Sequence, residues 1–237
     1  MIQQIFSFGE NDLSPLLFVT NVSRAVHPSR SLTETAVPGM DGALLSSVKL
    51  DPTDVTVACA VRAKTVEEVA EMRRRLGWML SGSRPARLVL PDEPSTYLMA
   101  VYAGSDELSR LANTPTVALK FRCLDPVAYG EHRTEMVEGT KLVRVGGTYA
   151  SLPTVTVKPP SGSYWKITNV TTGEFVRVAA AFTGAQTLVL DFAKQRCTIN
   201  GADARVDVSS DYFSISDDVR LSVSGGQAKV EWDERWL

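Results

Sequence analysis

The chain has 237 residues, 44% of them hydrophobic, which suffices for a real core in one large all-β unit or two domains of ordinary size. Its formal charge of −2 lacks the basic excess of a dedicated duplex binder, so any contact with DNA is expected to be passive or local. Three widely separated cysteines, Cys59, Cys123 and Cys197, fit neither a CxxC redox pair nor a zinc pattern, and read as small buried hydrophobes in a reducing compartment.

The opening segment, Met1 to Phe8, has no basic n-region followed by a long apolar stretch, and no apolar run approaches a membrane span. Folding in a cytoplasm, without membrane insertion, is the expectation. Strands are predicted around 15–26, 30–37, 43–50 and 54–61, the last dense in β-branched residues. Between the second and third, Pro38-Gly39 and Asp41-Gly42 are turn dipeptides, because proline presets φ and glycine accepts positive φ. They mark a reversal between two strands.

A helix is predicted over 65–80. Thr65-Val66-Glu67-Glu68 is a capping box in which the Thr65 hydroxyl and the Glu68 carboxylate satisfy each other's backbone amides. Val69, Met72, Leu76, Met79 and Leu80 recur at three- and four-residue spacing, so this stripe must lie on a sheet. Glu71 and Arg75 can pair across one turn of the other face, and Gly82 after Ser81 is expected to end the helix in the left-handed conformation.

Arg87 to Leu90 and Tyr97 to Tyr102 read as a hairpin joined by the four-residue loop Pro91-Asp92-Glu93-Pro94. Thr116 to Cys123 alternates well as a further strand, terminated by Asp125-Pro126. These elements make a compact α+β unit. Residues 127–148 lack sustained periodicity and read as a junction. Downstream, strands are expected at 153–158, 164–169, 174–180, 187–192, 195–199, 204–208, 219–224 and 227–232. Asn200-Gly201 and Gly225-Gly226 are hairpin signals, with Thr172-Gly173 a weaker one. Short strands at this spacing, with no helical period, favour a β-sandwich.

A search for chemistry finds no constellation. His27 and His132 have no cysteine or acidic neighbour at ligand or triad spacing. Asp217-Asp218 would point to opposite faces of a strand, and Asp203 and Asp207 lack a calcium-loop pattern. Gly146-Gly147-Thr148 and Ser224-Gly225-Gly226 match no phosphate loop. Arg73, Arg74 and Arg75 are the one compact basic cluster, spread by helical geometry over most of a turn. They read either as a solvated face with Glu67 and Glu71 or as a contact to a neighbouring subunit or a lumen. Tyr164, Trp165, Phe175 and Phe182 are either a sugar-stacking platform or the core aromatics of a sandwich, and Trp232 and Trp236 read as docking the C-terminus. No catalytic residue, metal ligand or cofactor site is assigned.

The order of these motifs resembles the siphophage distal tail protein family. Members carry a proline-glycine-x-aspartate-glycine turn, matched by Pro38, Gly39, Asp41 and Gly42, and one helix, capped here by Thr65 and Glu68. A "Leu-x-x-Pro-Asp-Glu-Pro" hairpin with a following tyrosine comes next, matched by Leu88, Pro91, Asp92, Glu93, Pro94 and Tyr97. A strand then ends in an aspartate-proline pair and a nearby tyrosine, here Asp125, Pro126 and Tyr129, with Val127-Ala128 inserted where the family usually has none. Gly147-Thr148 ahead of the Pro153-led strand echoes the start of the family's second domain.

The resemblance implies a mainly β protein. Residues 1–130 would be a ring-forming α+β domain with one helix packed on a β-sheet or barrel, and 131–237 a galectin-like β-sandwich. It implies a structural, non-enzymatic role in the virion as a distal tail hub: a homo-hexameric ring joining the tail-tube protein to baseplate proteins or a tail-associated lysin, with DNA passing through its centre. Assembly would take place in the host cytoplasm. A competing reading is a carbohydrate-binding module contacting a cell-wall glycan through Tyr164 or Trp165. A peptidoglycan hydrolase would need a carboxylate pair or zinc ligands that the sequence does not offer.

Overall fold

A computed structural model describes residues 4–63, 65–106 and 115–237. The chain divides into two compact units, the first ending at Ala128 and the second spanning Tyr129–Trp236. The architecture is mainly β, with one helix among the described residues.

The first unit contains strands β1 (Ser7–Phe8), β2 (Asn11–Asp12), β3 (Leu17–Arg24), β4 (Arg30–Thr35), β5 (Leu44–Leu50) and β6 (Thr53–Val61). Helix α1 (Val66–Met79) follows, then β7 (Ala86–Val89), β8 (Leu98–Ser105) and β9 (Thr116–Cys123). Seven strands form one antiparallel sheet of order β2-β1-β7-β8-β9-β6-β3, while β4 and β5 pair only with each other. Alternation dictates which face is covered: Val55, Val57, Cys59 and Val61 of β6 and Val117, Leu119, Phe121 and Cys123 of β9 all point inward. Phe121 is the centre of this core, with Phe6 edge-on at 6.4 Å, Phe8 at 5.2 Å and Tyr102 at 5.8 Å. The short strands β1 and β2 are not evident in the sequence, being two residues each.

Helix α1 buries Leu76 and Met79, with Leu80 just beyond, in that same core, and half-buries Met72. Its stripe therefore lies on the sheet as the spacing requires. At the N-terminus, the Thr65 hydroxyl accepts the Glu68 amide at 3.2 Å. The C-terminus corrects the expectation: Gly82 is not left-handed. Leu80 instead donates its amide to the Leu76 carbonyl, and Ser81 turns both its amide and hydroxyl to the Trp78 carbonyl. Nor do Glu71 and Arg75 form an ion pair among the described residues, since both are exposed and hydrated, where such a pair gains little.

The second unit contains β10 (Ala128–Arg144), β11 (Thr154–Val157), β12 (Gly162–Asn169), β13 (Phe175–Phe182), β14 (Leu188–Asp191), β15 (Arg196–Ile199), β16 (Ala202–Ala204) and β17 (Asp218–Trp236). The hydrogen-bonded path runs β13-β12-β17-β11-β14-β15-β16, with β10 also paired to β17, all around one core. Asn200 and Gly201, both at positive φ, turn β15 into β16, and Gly173 with the Asn169 side chain turns β12 into β13.

Two expectations fail here for one reason. Residues 128–144 are a single long strand and not a junction, and Gly225-Gly226 is not a hairpin but a corner within β17. Before the corner β17 pairs with β12 (Ile167↔Val223), and after it with β11 (Val157↔Ala228). Buried residues run 219, 221, 223 and then 228, 230, 232, so the alternation changes phase across the two glycines. That change of phase is the mark of a bulge, which bends a strand and re-aims its faces. A side chain could not sit there: a Cβ on Gly225 would lie 2.9 Å from Pro160, and one on Gly226 2.8 Å from the Lys158 carbonyl.

Replacing Gly226 (φ 73°) by alanine is accordingly expected to cost about 2–4 kcal/mol, through left-handed strain and displacement of the Lys158 carbonyl. Gly201→Ala, whose methyl meets open space, should cost only about 1 kcal/mol, and Thr65→Ala about 1 kcal/mol through the lost cap. Denaturant unfolding of the three variants checks the ranking; equal losses for Gly226→Ala and Gly201→Ala would contradict it.

Candidate functional site

The feature of the first unit that its own core does not explain is the ribbon β4–β5. It stands as a separate two-stranded sheet whose residues are almost all exposed. Its root is fastened: Asp51 donates its amide to Ser29 O at 2.9 Å, Ser31 hydrogen-bonds Asp51, and Arg30 lies 3.0 Å from the ring of His27. Its tip carries Pro38, Gly39, Asp41 and Gly42, and both glycines adopt positive φ (82° and 86°). The turn residues thus stand at the far end of an arm.

Pairing sorts the arm into two faces. Leu32 opposes Val48, and a bulge between Thr33 and Glu34 brings Leu45 opposite Glu34, so Leu32, Leu45 and Val48 share one side. Arg30 and Glu34 share that side, while Ser31, Thr33, Thr35, Leu44, Ser47 and Lys49 line the other. The apolar side is 56%, 59% and 45% exposed at its three members. Fully burying such a side chain is worth roughly 1.5–3 kcal/mol, so covering the exposed half of each would gain about half of that.

The Pro91–Pro94 segment has a positional role. Leu90 O accepts the Glu93 amide and Glu93 O the Thr96 amide, closing the turn between β7 and β8. Arg24, at the end of β3, reaches Asp92 at 3.2 Å and Glu93 at 2.7 Å, while the Arg87 guanidinium stacks on Tyr97 at 4.5 Å. The acidic pair therefore ties the loop to β3. Neither arginine was picked out from the sequence, because their partners lie far along the chain or across a turn. At the end of β9, Asp125 accepts the Val127 amide at 3.2 Å just past Pro126.

On α1, Arg73, Arg74 and Arg75 are exposed and make no ion pair among the described residues. The helical period centres Arg74 on the outward side with Glu67, Glu71 and Trp78, and Trp78 is 74% exposed. A tryptophan opposite the buried stripe is the signal in the sequence that could have drawn attention to this face.

In the second unit the proposed sugar platform splits. Trp165 is fully buried and its indole donates to Gly225 O at 2.8 Å, so it holds the corner of β17 and cannot touch a glycan. Strand alternation puts it on the inner side, and Phe182 is buried likewise. Tyr164 is 46% exposed, but the Arg177 guanidinium lies over its ring at 4.6 Å. Lys166 covers Phe175 in the same way at 3.9 Å. Trp232 is core, donating to Val145 O at 2.8 Å.

The pairing of β10 with β17 brings His132 to Asp233 (2.8 Å) and Glu231 (3.6 Å), across about a hundred residues of sequence. The Asp233 hydrogen bond raises the His132 pKa above the ordinary histidine value, with Glu231 adding to it. Arg133 bonds the buried Glu234 at 2.9 Å, and Glu234 fills the space over Gly130 and Gly146, where a Cβ would clash. All three cysteines are buried and free; burial pushes the thiols up to about 12 for Cys59 and about 11 for Cys123 and Cys197, which is packing and not nucleophile chemistry. Among the described residues no group of three or more His, Cys, Asp or Glu is placed to hold a metal ion.

Comparison with known proteins follows the same two units. A family profile described as a phage tail protein RIFT-related domain matches residues 3–123, and one described as the C-terminal domain of a siphovirus-type tail component matches 146–236. The distal tail protein of Bacillus phage SPP1 is 24% identical over 251 aligned positions, covering 100% of this chain and 98% of that one. The crystal structure of SPP1 Dit, described as a paradigm of the hub adsorption apparatus in phages infecting Gram-positive bacteria, superposes with a TM-score of 0.84 at 20% identity over 98% of this chain and 99% of that one. A chain of the phage P2 baseplate in its activated, calcium-bound conformation gives 0.50 at 8% identity, over 99% and 98%. At these identities the two structures report on fold alone.

Two outcomes test the assignments in the second unit. Trp165→Ala is expected to destabilise it by about 3–5 kcal/mol, while Tyr164→Ala changes stability by under about 1 kcal/mol, read by denaturant unfolding. Because the folded pKa of His132 is raised, its stabilising pairing is complete at pH below the ordinary imidazole value and is lost as pH rises through the raised one. An NMR titration should place His132 above ordinary histidine, and Asp233→Asn should bring it back down.

Proposed function

This chain belongs to the siphovirus-type phage tail component family, and from that premise we propose that it is a distal tail hub acting as a structural part of the virion. Six copies close into a ring through the domain at 1–130, with the sandwich at 131–237 outside it. The ring joins the last tail-tube ring to baseplate proteins or a tail-associated lysin at the tail tip. DNA passes through the central opening, and assembly takes place in the host cytoplasm. No enzymatic step or cofactor is part of this role.

The observation that carries the ring is the arm. A two-stranded ribbon has no core of its own, and this one presents Leu32, Leu45 and Val48 to solvent beside a rigid seven-stranded sheet. A patch of this kind that meets a different patch on the next copy makes a heterologous contact, and such contacts close into rings when the rotation fits. The near-neutral charge suits a conduit, since a strongly basic lumen would hold phosphates with a salt-dependent grip. No helix among the described residues is long and apolar enough to cross a membrane.

The carbohydrate alternative loses support from Trp165, which is inside the core, and rests only on Tyr164, one face of which is occupied by Arg177. Electron microscopy of the purified chain at high concentration should show annular particles of six subunits whose opening admits a duplex. Strictly monomeric particles, together with absence of the chain from the tail tip of purified virions, would overturn the reading.

A further inference from the structure

The arm has a complement elsewhere in its own unit. Beyond its root, which carries Arg30 and Lys49, its only charges are Glu34 and Asp41, both acidic; Glu34 shares the face of Leu32, Leu45 and Val48 with Arg30, whose guanidinium lies 3.0 Å from the His27 ring. The outward side of α1 ends with the opposite character: Arg74 and Arg75 stand one turn before Trp78, with Glu71 a turn earlier still, and the Trp78 indole stands in solvent. The outer part of the arm is thus apolar and acidic, and the last turns of the helix are aromatic and basic. Within a single copy both remain exposed, so neither covers the other.

We propose that the arm of one copy seats on the outer face of α1 of the next copy, with Trp78 against Leu32, Leu45 and Val48, and Arg74 facing Glu34 or Asp41. This rests on the ring reading and names the contact that closes the ring. Tryptophan and arginine are the side chains most often found to dominate interfaces, because they combine a large desolvated area with directed hydrogen bonds. The second copy is favoured over an unrelated occupant because both halves of the match, in charge and in apolarity, are on this one chain. The two patches are different, so the contact is heterologous and propagates around an axis.

The experiment uses the full-length chain in two versions with one added cysteine each, Met40→Cys at the arm tip and Gly82→Cys one turn beyond Trp78. Both positions are exposed, and a side chain at Gly82 meets nothing within 4 Å. The native cysteines are buried and should not react. Mixed one to one and treated with a short bismaleimide, the two versions should give a covalent dimer that neither gives alone, and the double variant should give a ladder ending at six chains. Trp78→Ala should weaken assembly by at least about tenfold, and Arg74→Glu likewise, with partial recovery on adding Glu34→Arg. Trp78 is on the surface, so unchanged circular dichroism and thermal unfolding would separate lost assembly from lost folding. Six-membered particles that show no mixed cross-link and tolerate Trp78→Ala would overturn this contact while leaving the ring intact. A chain that stays monomeric at every concentration and is absent from the tail tip of purified virions would remove the ring reading and this contact together.

Discussion

A two-stranded β-ribbon cannot bury its own side chains. Strands β4 and β5 pair only with each other among the described residues, and the pairing places Leu32, Leu45 and Val48 together on one side, each about half exposed. Water penalises that arrangement, and covering those side chains would relieve it. The seven-stranded sheet, its Phe121-centred core and the capped helix supply the stiffness that lets a projecting arm hold a defined direction.

The same economy is visible in how polar residues are used. Asp92 and Glu93 fasten a loop to Arg24; Glu234 fills a glycine-walled recess and bonds Arg133; His132 is held by Asp233. Each links strands distant in sequence, and none adjoins a nucleophile or a set of metal-binding side chains among the described residues. The exposed pairs among them contribute little stability individually. Their value is positional: they fix loops and strand ends.

The second unit turns on a corner. By bending at Gly225-Gly226, β17 passes from β12 to β11 and binds both parts of the strand path around one core. Trp165 reads that corner directly through its indole, which is why the residue most attractive as a sugar platform is committed to the interior. The long strand β10, in turn, has a polar sequence because only Val137 and Val143 in its span beyond Ala128 are fully buried; pairing with β17, not an apolar face, makes it a strand.

Local features were legible in the chain itself. The Thr65 cap, the stripe of α1, the alternation of β6 and β9, and the turns at Gly39–Gly42, Gly173 and Asn200-Gly201 are all written within a few residues of where they act, and short-range sterics and hydrogen bonding enforce them. What the tertiary structure decided is everything that depends on a distant partner: that residues 128–144 form a strand, that two glycines make a corner and not a hairpin, that Arg24 belongs to the Asp92-Glu93 loop, that Trp165 is inside while Tyr164 is outside, and that the arm's apolar face is left bare. Propensity carries no information on which strand a polar segment will meet, because that is settled by non-local pairing and by the shape of the core that closes around it.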